Sequence, residues 1–418
     1  MTKRLILAFV FLSWHLVACS NGDSGISSGL PDKPSAEEDS PGTETISEEM
    51  RVKITGEDLY ISAKLDAKTD ILYWFKKCMF NELFTFYRVG TIDNNMPAPA
   101  TLPDASPTSL LNLAYSDNIG PFNITGYGWC GGNHPYLDEV TQTARNIGYR
   151  IYIDGKEIKT DLSTLTKEIK IEVINEIMNP SKADTSSGKT LLNEILCIET
   201  VNYSIYRNNI QVLVTHEFQN ESPVTVQMYY GMQSMFDKET HTLTANGKYV
   251  DWTVQNDVSA FTKKEYPSFR RFIEKSANAY QSSYLFADGL GNHEEISDDD
   301  IIFIGNSSNK TYHKIIADRE HKKGDIIHWS GVYTWFKSPV SDDDDLLCYE
   351  GVIDNKKVLF IDCKKSVDKT IQLPVDYTKK SFTIIEKSKS ITITGNKVTA
   401  KGLKIVSDGS GSCVITFD

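Results

Sequence analysis

Apolar side chains recur at every second position through most of this chain. Ile169, Ile171 and Val173 alternate with Lys170 and Glu172, and Ile210, Val212 and Val214 alternate with Gln211 and Leu213. Val224, Val226 and Met228 alternate in the same way with Thr225 and Gln227. A period of two is that of a strand with one face on a core and the other toward water. Tight-turn pairs join such runs: Asp154-Gly155 between YRIYI and KEI, Asn246-Gly247 between LTA and KYVDW, and Gly395-Asn396 between SITIT and KVTA. These residues tolerate the positive φ that a two-residue hairpin demands. One helical stripe stands out, Phe269, Phe272, Ile273 and Tyr280, and it predicts a short helix over residues 268–281. The pattern as a whole predicts an all-β protein, a large antiparallel β-sandwich followed by a small β module. No repeat of 20 to 50 residues is visible, which disfavours propellers and solenoids.

The first fifty residues break this pattern. Lys3 and Arg4 precede an apolar run from Leu5 to Val17, the layout of a signal peptide and too short for a spanning helix of about 20 residues. The run closes on Leu16-Val17-Ala18-Cys19, which resembles the lipobox of bacterial lipoproteins. That resemblance implies cleavage before Cys19, acylation of this cysteine, and a lipid anchor in the outer membrane of the cell envelope. Residues 19–50 are rich in Ser, Gly, Pro and acid, with only Ile26, Leu30 and Ile46 as large aliphatics, and read as a flexible tether. The expected organisation is a signal peptide over 1–18, a tether over 19–50, a sandwich domain over 51–340 and a C-terminal β-rich module over 346–418. The acid run Asp342 to Asp345 reads as a solvated break between the last two.

Composition narrows the function classes. With 418 residues, 44 Lys+Arg, 56 Asp+Glu and a net charge of −12, the chain lacks the clustered cations of a nucleic-acid binder. The 18 Phe, 20 Tyr and 6 Trp exclude a disordered chain. Besides Cys19 there are Cys78, Cys130, Cys197, Cys348, Cys363 and Cys413, at long irregular spacings without a zinc pattern. Cys348 and Cys363 flank a hairpin and are placed to pair; otherwise the six are small buried hydrophobes. No metal set and no cofactor is expected, and no GxSxG, P-loop or HExxH motif occurs.

Two stretches carry candidate chemistry. In SDNIGPFNITGYGWCGGNHPY, residues 116–136, Gly126, Gly128, Gly131 and Gly132 with two prolines make a loop whose backbone can approach a ligand closely. It holds Asn118, Trp129, Asn133, His134 and Tyr136: rings to stack on a pyranose, amides for its hydroxyls, and an imidazole for proton transfer. The alternative is a well-packed turn in which His134 bonds backbone. The second stretch, residues 211–236, places His216 on the apolar face of its strand, the position of a core histidine. It ends in Tyr229, Tyr230 and Gln233; adjacent tyrosines point to opposite faces, so at most one of the pair lines a site. Trp329, Tyr333 and Trp335 share a parity that reads as core.

The run Val214 to Ser222, followed by Val224 to Tyr230, resembles the galactose-mutarotase-like β-supersandwich. The resemblance implies carbohydrate binding or processing. Where the mutarotases carry an Asn-His-x-Tyr motif, this chain reads Tyr229-Tyr230-Gly231-Met232, while Asn133-His134-Pro135-Tyr136 is similar to that motif but lies earlier. The same superfamily includes polysaccharide lyases, so His134 or His216 with Tyr229 or Tyr230 is implied as an acid–base set. Asn133, Gln233 or Arg150 would then neutralise a uronate. The expectation is a lipid-anchored envelope protein that binds or processes a glycan, with His134, Tyr229 and Tyr230 as candidate catalytic residues and Asn118, Trp129, Asn133, Tyr136 and Gln233 as candidate binding residues. The competing expectation is a non-catalytic binding or structural envelope lipoprotein.

Overall fold

The computed structural model describes residues 46–102, 109–113, 119–235, 241–243, 249–251, 271–275, 279–286, 302–305 and 310–417. The signal segment, Cys19, most of the tether, Asn118 and the Asn246-Gly247 turn lie outside the described residues.

The described chain is all-β, and its sheets are antiparallel throughout. A ten-stranded sheet is centred on Ile326–Phe336, Asn209–Phe218, Ile195–Tyr206 and Ile169–Met178. Two further sheets share its core. One has six strands, among them Asp58–Lys64, Thr69–Cys78 and Leu83–Asp93; the other has five, in the order Ile302–Gly305, Lys310–His321, Val224–Met235, Pro121–Ile124 and Gly128–Gly131. Phe75 and Phe86 of the six-stranded sheet meet Tyr203 and Tyr333 of the large one, ring centres 5.4 Å apart in both pairs. Phe122 of the five-stranded sheet meets His216 of the large one edge to face. Ile171, Val201 and Val212 join Val226, Tyr229 and Tyr73 in a single apolar cluster. The alternation read from the sequence is the alternation of this interior: Ile169, Ile171 and Val173 are buried while Lys170 is exposed. Trp329, Tyr333 and Trp335 are core residues, as their parity predicted.

The C-terminal part is a second sandwich. A sheet of Leu346–Ile353, Lys356–Cys363, Gly411–Phe417 and Phe382–Lys387, with the short Ser341–Asp342 at its edge, faces a three-stranded sheet of Val367–Ile371, Leu403–Ser407 and Ile391–Ile393. The strands Leu346–Ile353 and Lys356–Cys363 are covered on both sides over most of their length. Leu346 and Cys348 point into that small core, whereas Leu347 and Tyr349 point the other way, onto Tyr280, Tyr284 and Phe336 of the ten-stranded sheet. Tyr280, Phe336, Tyr349 and Phe360 form a stack with successive ring centres 4.8, 4.3 and 5.0 Å apart. Beside it Arg271 and Asp362, both buried, make an ion pair across the same contact.

Several sequence expectations require correction. Over its described residues the helical stripe is strand: Arg271–Lys275 pairs with Tyr280–Leu285, and both strands are buried on both faces, so no alternation marked them, while Phe269 lies outside the described residues. Gly395-Asn396 does not close a hairpin, since Ile391–Ile393 pairs with Leu403–Ser407 and Lys397 bridges Ser381 instead. In the run Asp342 to Asp345, Asp344 is exposed and Asp343 and Asp345 are largely solvated, but Asp342 is drawn into the contact. Asp342 accepts from Lys275, Lys364 and Tyr280, and Asp343 pairs with Lys369, which stitches the two parts together. Cys348 and Cys363 are both free and buried, each opposite an apolar partner, Ile361 and Leu346. By contrast, Asp154-Gly155 forms its hairpin, with φ of 47° and 79°.

Candidate functional site

The five-stranded sheet has an inner and an outer face, and adjacent residues divide between them. Tyr229 goes inward. It is fully buried, donates to the Ile119 carbonyl at 2.8 Å and accepts from the Trp329 indole at 2.9 Å. Burial pushes its phenol well above the ordinary range. That places it out of reach of any ligand, so of the two tyrosines only Tyr230 faces outward. Tyr230 stacks near-parallel to Trp129, ring centres 5.9 Å apart and 18° between planes, and touches Tyr312 at 4.1 Å. Trp129 stacks in turn on Tyr136 at 6.2 Å, and His134 meets Tyr136 edge to face at 5.6 Å. The result is a row of rings across four chain segments, each ring half-buried.

Above this row lies a cleft of about 190 Å³ lined by Pro121, Trp129, His134, Tyr136, Tyr230, Gln233 and Tyr312. Its local backbone is unusual in two places. Opposite Thr311–His313 the strand Val224–Met235 carries an irregularity between Gly231 and Ser234, with Met232 at a φ of 50°. Such a bulge re-aims side chains, and here it brings the buried Gln233 into the lining of the cleft. Gly120, at a φ of 101°, lies so close to Tyr230 that a Cβ there would sit 1.5 Å from the Tyr230 carbonyl oxygen. Only glycine allows this approach.

The loop that carries His134 is pinned from behind. Asn81 donates to the Gly132 carbonyl at 2.7 Å and accepts from the Thr143 amide at 3.1 Å. Phe80 N donates to the Asn133 carbonyl at 3.3 Å, and Gly131 and Gly132 both adopt positive φ. Asn133 itself is turned inward, to a small interior cavity shared with Asn175 and Glu199.

Of the residues singled out in the sequence, the cleft brings together Trp129, His134, Tyr136, Tyr230 and Gln233. Tyr229 and Asn133 face the interior, and Asn118 is not among the described residues. His216 is buried in the core, bonded to Glu199 at 2.9 Å. Arg150 lies on the ten-stranded sheet beside Glu172, at 3.6 Å. The sequence reading missed Tyr312 and Pro121. Tyr312 sits in the charged run KTYHKIIADREH, where nothing but strand parity distinguishes it.

Among the described lining residues none carries a carboxylate, an ammonium or a guanidinium. The cleft can stack on an apolar ligand face, bond hydroxyls through Gln233 and the phenols, and exchange a proton through His134. It offers no carboxylate pair of the kind that glycoside hydrolysis uses.

No protein-family model and no curated protein sequence matches this chain. Among solved structures it is similar to the galactosidase domain of the alpha-galactosidase-sucrose kinase AgaSK, at 9% identity and a TM-score of 0.36 over 68% of this chain and 41% of that one. It is also similar to the GH36 alpha-galactosidase AgaB from Geobacillus stearothermophilus, at 8% identity and 0.39, covering 69% and 41%. A third is a glycoside hydrolase family 97 enzyme from Pseudoalteromonas sp. strain K8, at 7% and 0.35, covering 70% and 37%. This chain spans about two fifths of the length of these structures. The site is therefore read from its own residues.

Proposed function

We propose that this protein binds carbohydrate in the aromatic cleft, as a lipid-anchored component of the bacterial cell envelope. The observation that carries the reading is the continuous row Tyr312, Tyr230, Trp129 and Tyr136, with Gln233 beside it. Half-buried rings at the lining of a cleft give apolar area for the C–H faces of a pyranose, and phenols beside an amide residue suit neutral hydroxyls. The uncharged lining favours a neutral sugar over a uronate. His134 in the same cleft as Tyr230 supports a second reading, in which the bound neutral sugar is also processed by proton transfer of the epimerase kind, since a lyase needs the uronate that this lining disfavours. Anchoring rests on Lys3-Arg4, the apolar run Leu5 to Val17 and Ala18-Cys19. On this reading residues 51–340 form the binding domain, and 346–418 a β module attached to it.

The test is titration of the purified protein against neutral oligosaccharides, with Trp129→Ala and Tyr230→Ala alongside. Loss of an aromatic anchor weakens binding about tenfold or more. A folded wild type that binds no neutral glycan, or variants that bind as the wild type does, refutes the cleft. Faster interconversion of the anomers of a free neutral sugar, abolished by His134→Ala, decides for processing. Incorporation of labelled palmitate, lost in Cys19→Ala, decides the anchor.

A further inference from the structure

The outer face of the six-stranded sheet carries a different group of side chains. Along Thr69–Cys78, Trp74 and Lys76 alternate with the core residues Tyr73 and Phe75. Trp74 lies opposite Tyr60 on one neighbour and opposite Arg88 on the other. The register shifts here: Trp74 pairs with Arg88 and Phe75 with Phe86, so Tyr87 is an extra residue on its strand. Phe86 and Val89 both enter the core, and Tyr87 and Arg88 are both left half-buried on the outside. Bulges place side chains in this way beside functional surfaces.

The three rings touch. Tyr60 stacks on Trp74 at 5.3 Å, and Tyr87 meets Trp74 edge to face at 5.1 Å. Two cations share their faces. Lys76 Nζ lies 4.5 Å from the Trp74 ring centre and 4.2 Å from that of Tyr87, while the Arg88 guanidinium carbon lies 5.8 and 4.9 Å from the same two rings. Asp58 accepts from the Trp74 indole at 2.8 Å. Among the described residues neither cation has a carboxylate ion-pair partner, whereas neighbouring Lys64 and Lys77 are paired with Asp70 and Glu57. Ring quadrupoles hold both positive charges on one small area despite their mutual repulsion.

We propose that this surface is a second glycan site, for an acidic polysaccharide whose sugar carboxylates sit between Lys76 and Arg88. Charge complementarity selects an anion, and the exposed parts of Tyr60, Trp74 and Tyr87 supply apolar area for the sugar rings. The patch crosses three strands, which suits an extended chain more than a small ion. Two cations are too few for a polyphosphate, whose binders neutralise many charges. The surface is separate from the aromatic cleft and does not depend on the neutral-sugar reading.

The purified protein should be measured by affinity electrophoresis and calorimetry against polygalacturonate and a neutral polysaccharide of similar length. Anionic phospholipid vesicles and a single-stranded oligonucleotide complete the panel. The wild type is expected to retain polygalacturonate, more weakly as salt rises. Lys76→Gln with Arg88→Gln is expected to weaken this about tenfold or more, as loss of charged hydrogen bonds does. Lys76→Arg, which keeps the charge, retains binding and guards against a folding artefact. Tyr230→Ala in the cleft leaves polygalacturonate binding unchanged. The proposal is overturned by no binding of polygalacturonate, by equal binding of the neutral chain, by a folded double variant that binds as the wild type does, or by preference for vesicles or oligonucleotide.

Discussion

Replacing Gly120 with alanine puts a methyl group where the structure has the Tyr230 carbonyl, 1.5 Å from its oxygen and 2.6 Å from its carbon. No side-chain rotation relieves a clash with backbone, so residues 119–120 must withdraw. Ile119 is also the acceptor for the buried Tyr229 hydroxyl at 2.8 Å, and withdrawal strips that bond. Three costs follow. A positive φ on a residue with a Cβ costs about 1–2 kcal/mol, the overpacking about 1–3 kcal/mol, and a buried hydroxyl left without its acceptor about 1–3 kcal/mol. Gly126 supplies the control, since its φ is 81° and a Cβ there meets nothing within 4 Å. Gly126→Ala therefore carries the first cost alone. Urea unfolding of both variants should put Gly120→Ala at least about 2 kcal/mol below Gly126→Ala, the sum of the two lower bounds. It should also weaken sugar binding, because Tyr230 moves with its carbonyl. If the two variants unfold at the same midpoint with unchanged slope, the close approach at Gly120 is not what fixes the cleft.

Glu274 is fully buried beside Ser234, and desolvation raises its carboxyl from 4.5 to about 7. A raised folded pKa means the folded state holds the proton more tightly, so this stability is complete below pH 4.5 and is lost as pH rises through 7. The full span is about 3 kcal/mol, and urea midpoints between pH 5 and 8 should fall in the wild type more steeply than in Glu274→Gln; equal slopes would contradict the assignment. Arg271→Met or Asp362→Leu leaves one buried charge unpaired and should cost about 3–5 kcal/mol, whereas the two together should cost much less than the sum. Additive losses in that cycle would show that the pair is not coupled.

The legible part of this structure is the part with one wet face. Ile169–Met178 and Asn209–Phe218 alternate because a core lies on one side only, and His216 was readable as a core residue for the same reason. Arg271–Lys275 and Tyr280–Leu285 failed because the C-terminal sheet covers their second face, which erases the period and leaves a spacing that imitates a helix. At the cleft, five residues could be named from the types a sugar site needs. Which tyrosine faced it could not, because a register shift between Val226 and Met228 reverses the parity that Val224 and Val226 set. The place of Gln233 in the lining depends on the irregularity between Gly231 and Ser234, which leaves no mark on the sequence. Tyr312 arrives from a strand remote in the chain, through a pairing that only the folded sheet reveals.

The contact between the C-terminal sheet and the strands Arg271–Lys275, Tyr280–Leu285 and Ile326–Phe336 has a consequence for biosynthesis. When the ribosome has delivered residues up to Phe336, the ten-stranded sheet is nearly complete, yet Ile273, Tyr280, Tyr284, Val332 and Phe336 still lack the layer that covers them. Until Leu346–Phe417 follows, this nascent sheet presents a sticky aromatic face and the uncompensated Arg271 guanidinium to its surroundings. A chain truncated near residue 340 is held permanently at that stage, a substrate for holdase chaperones and proteases more than a soluble domain.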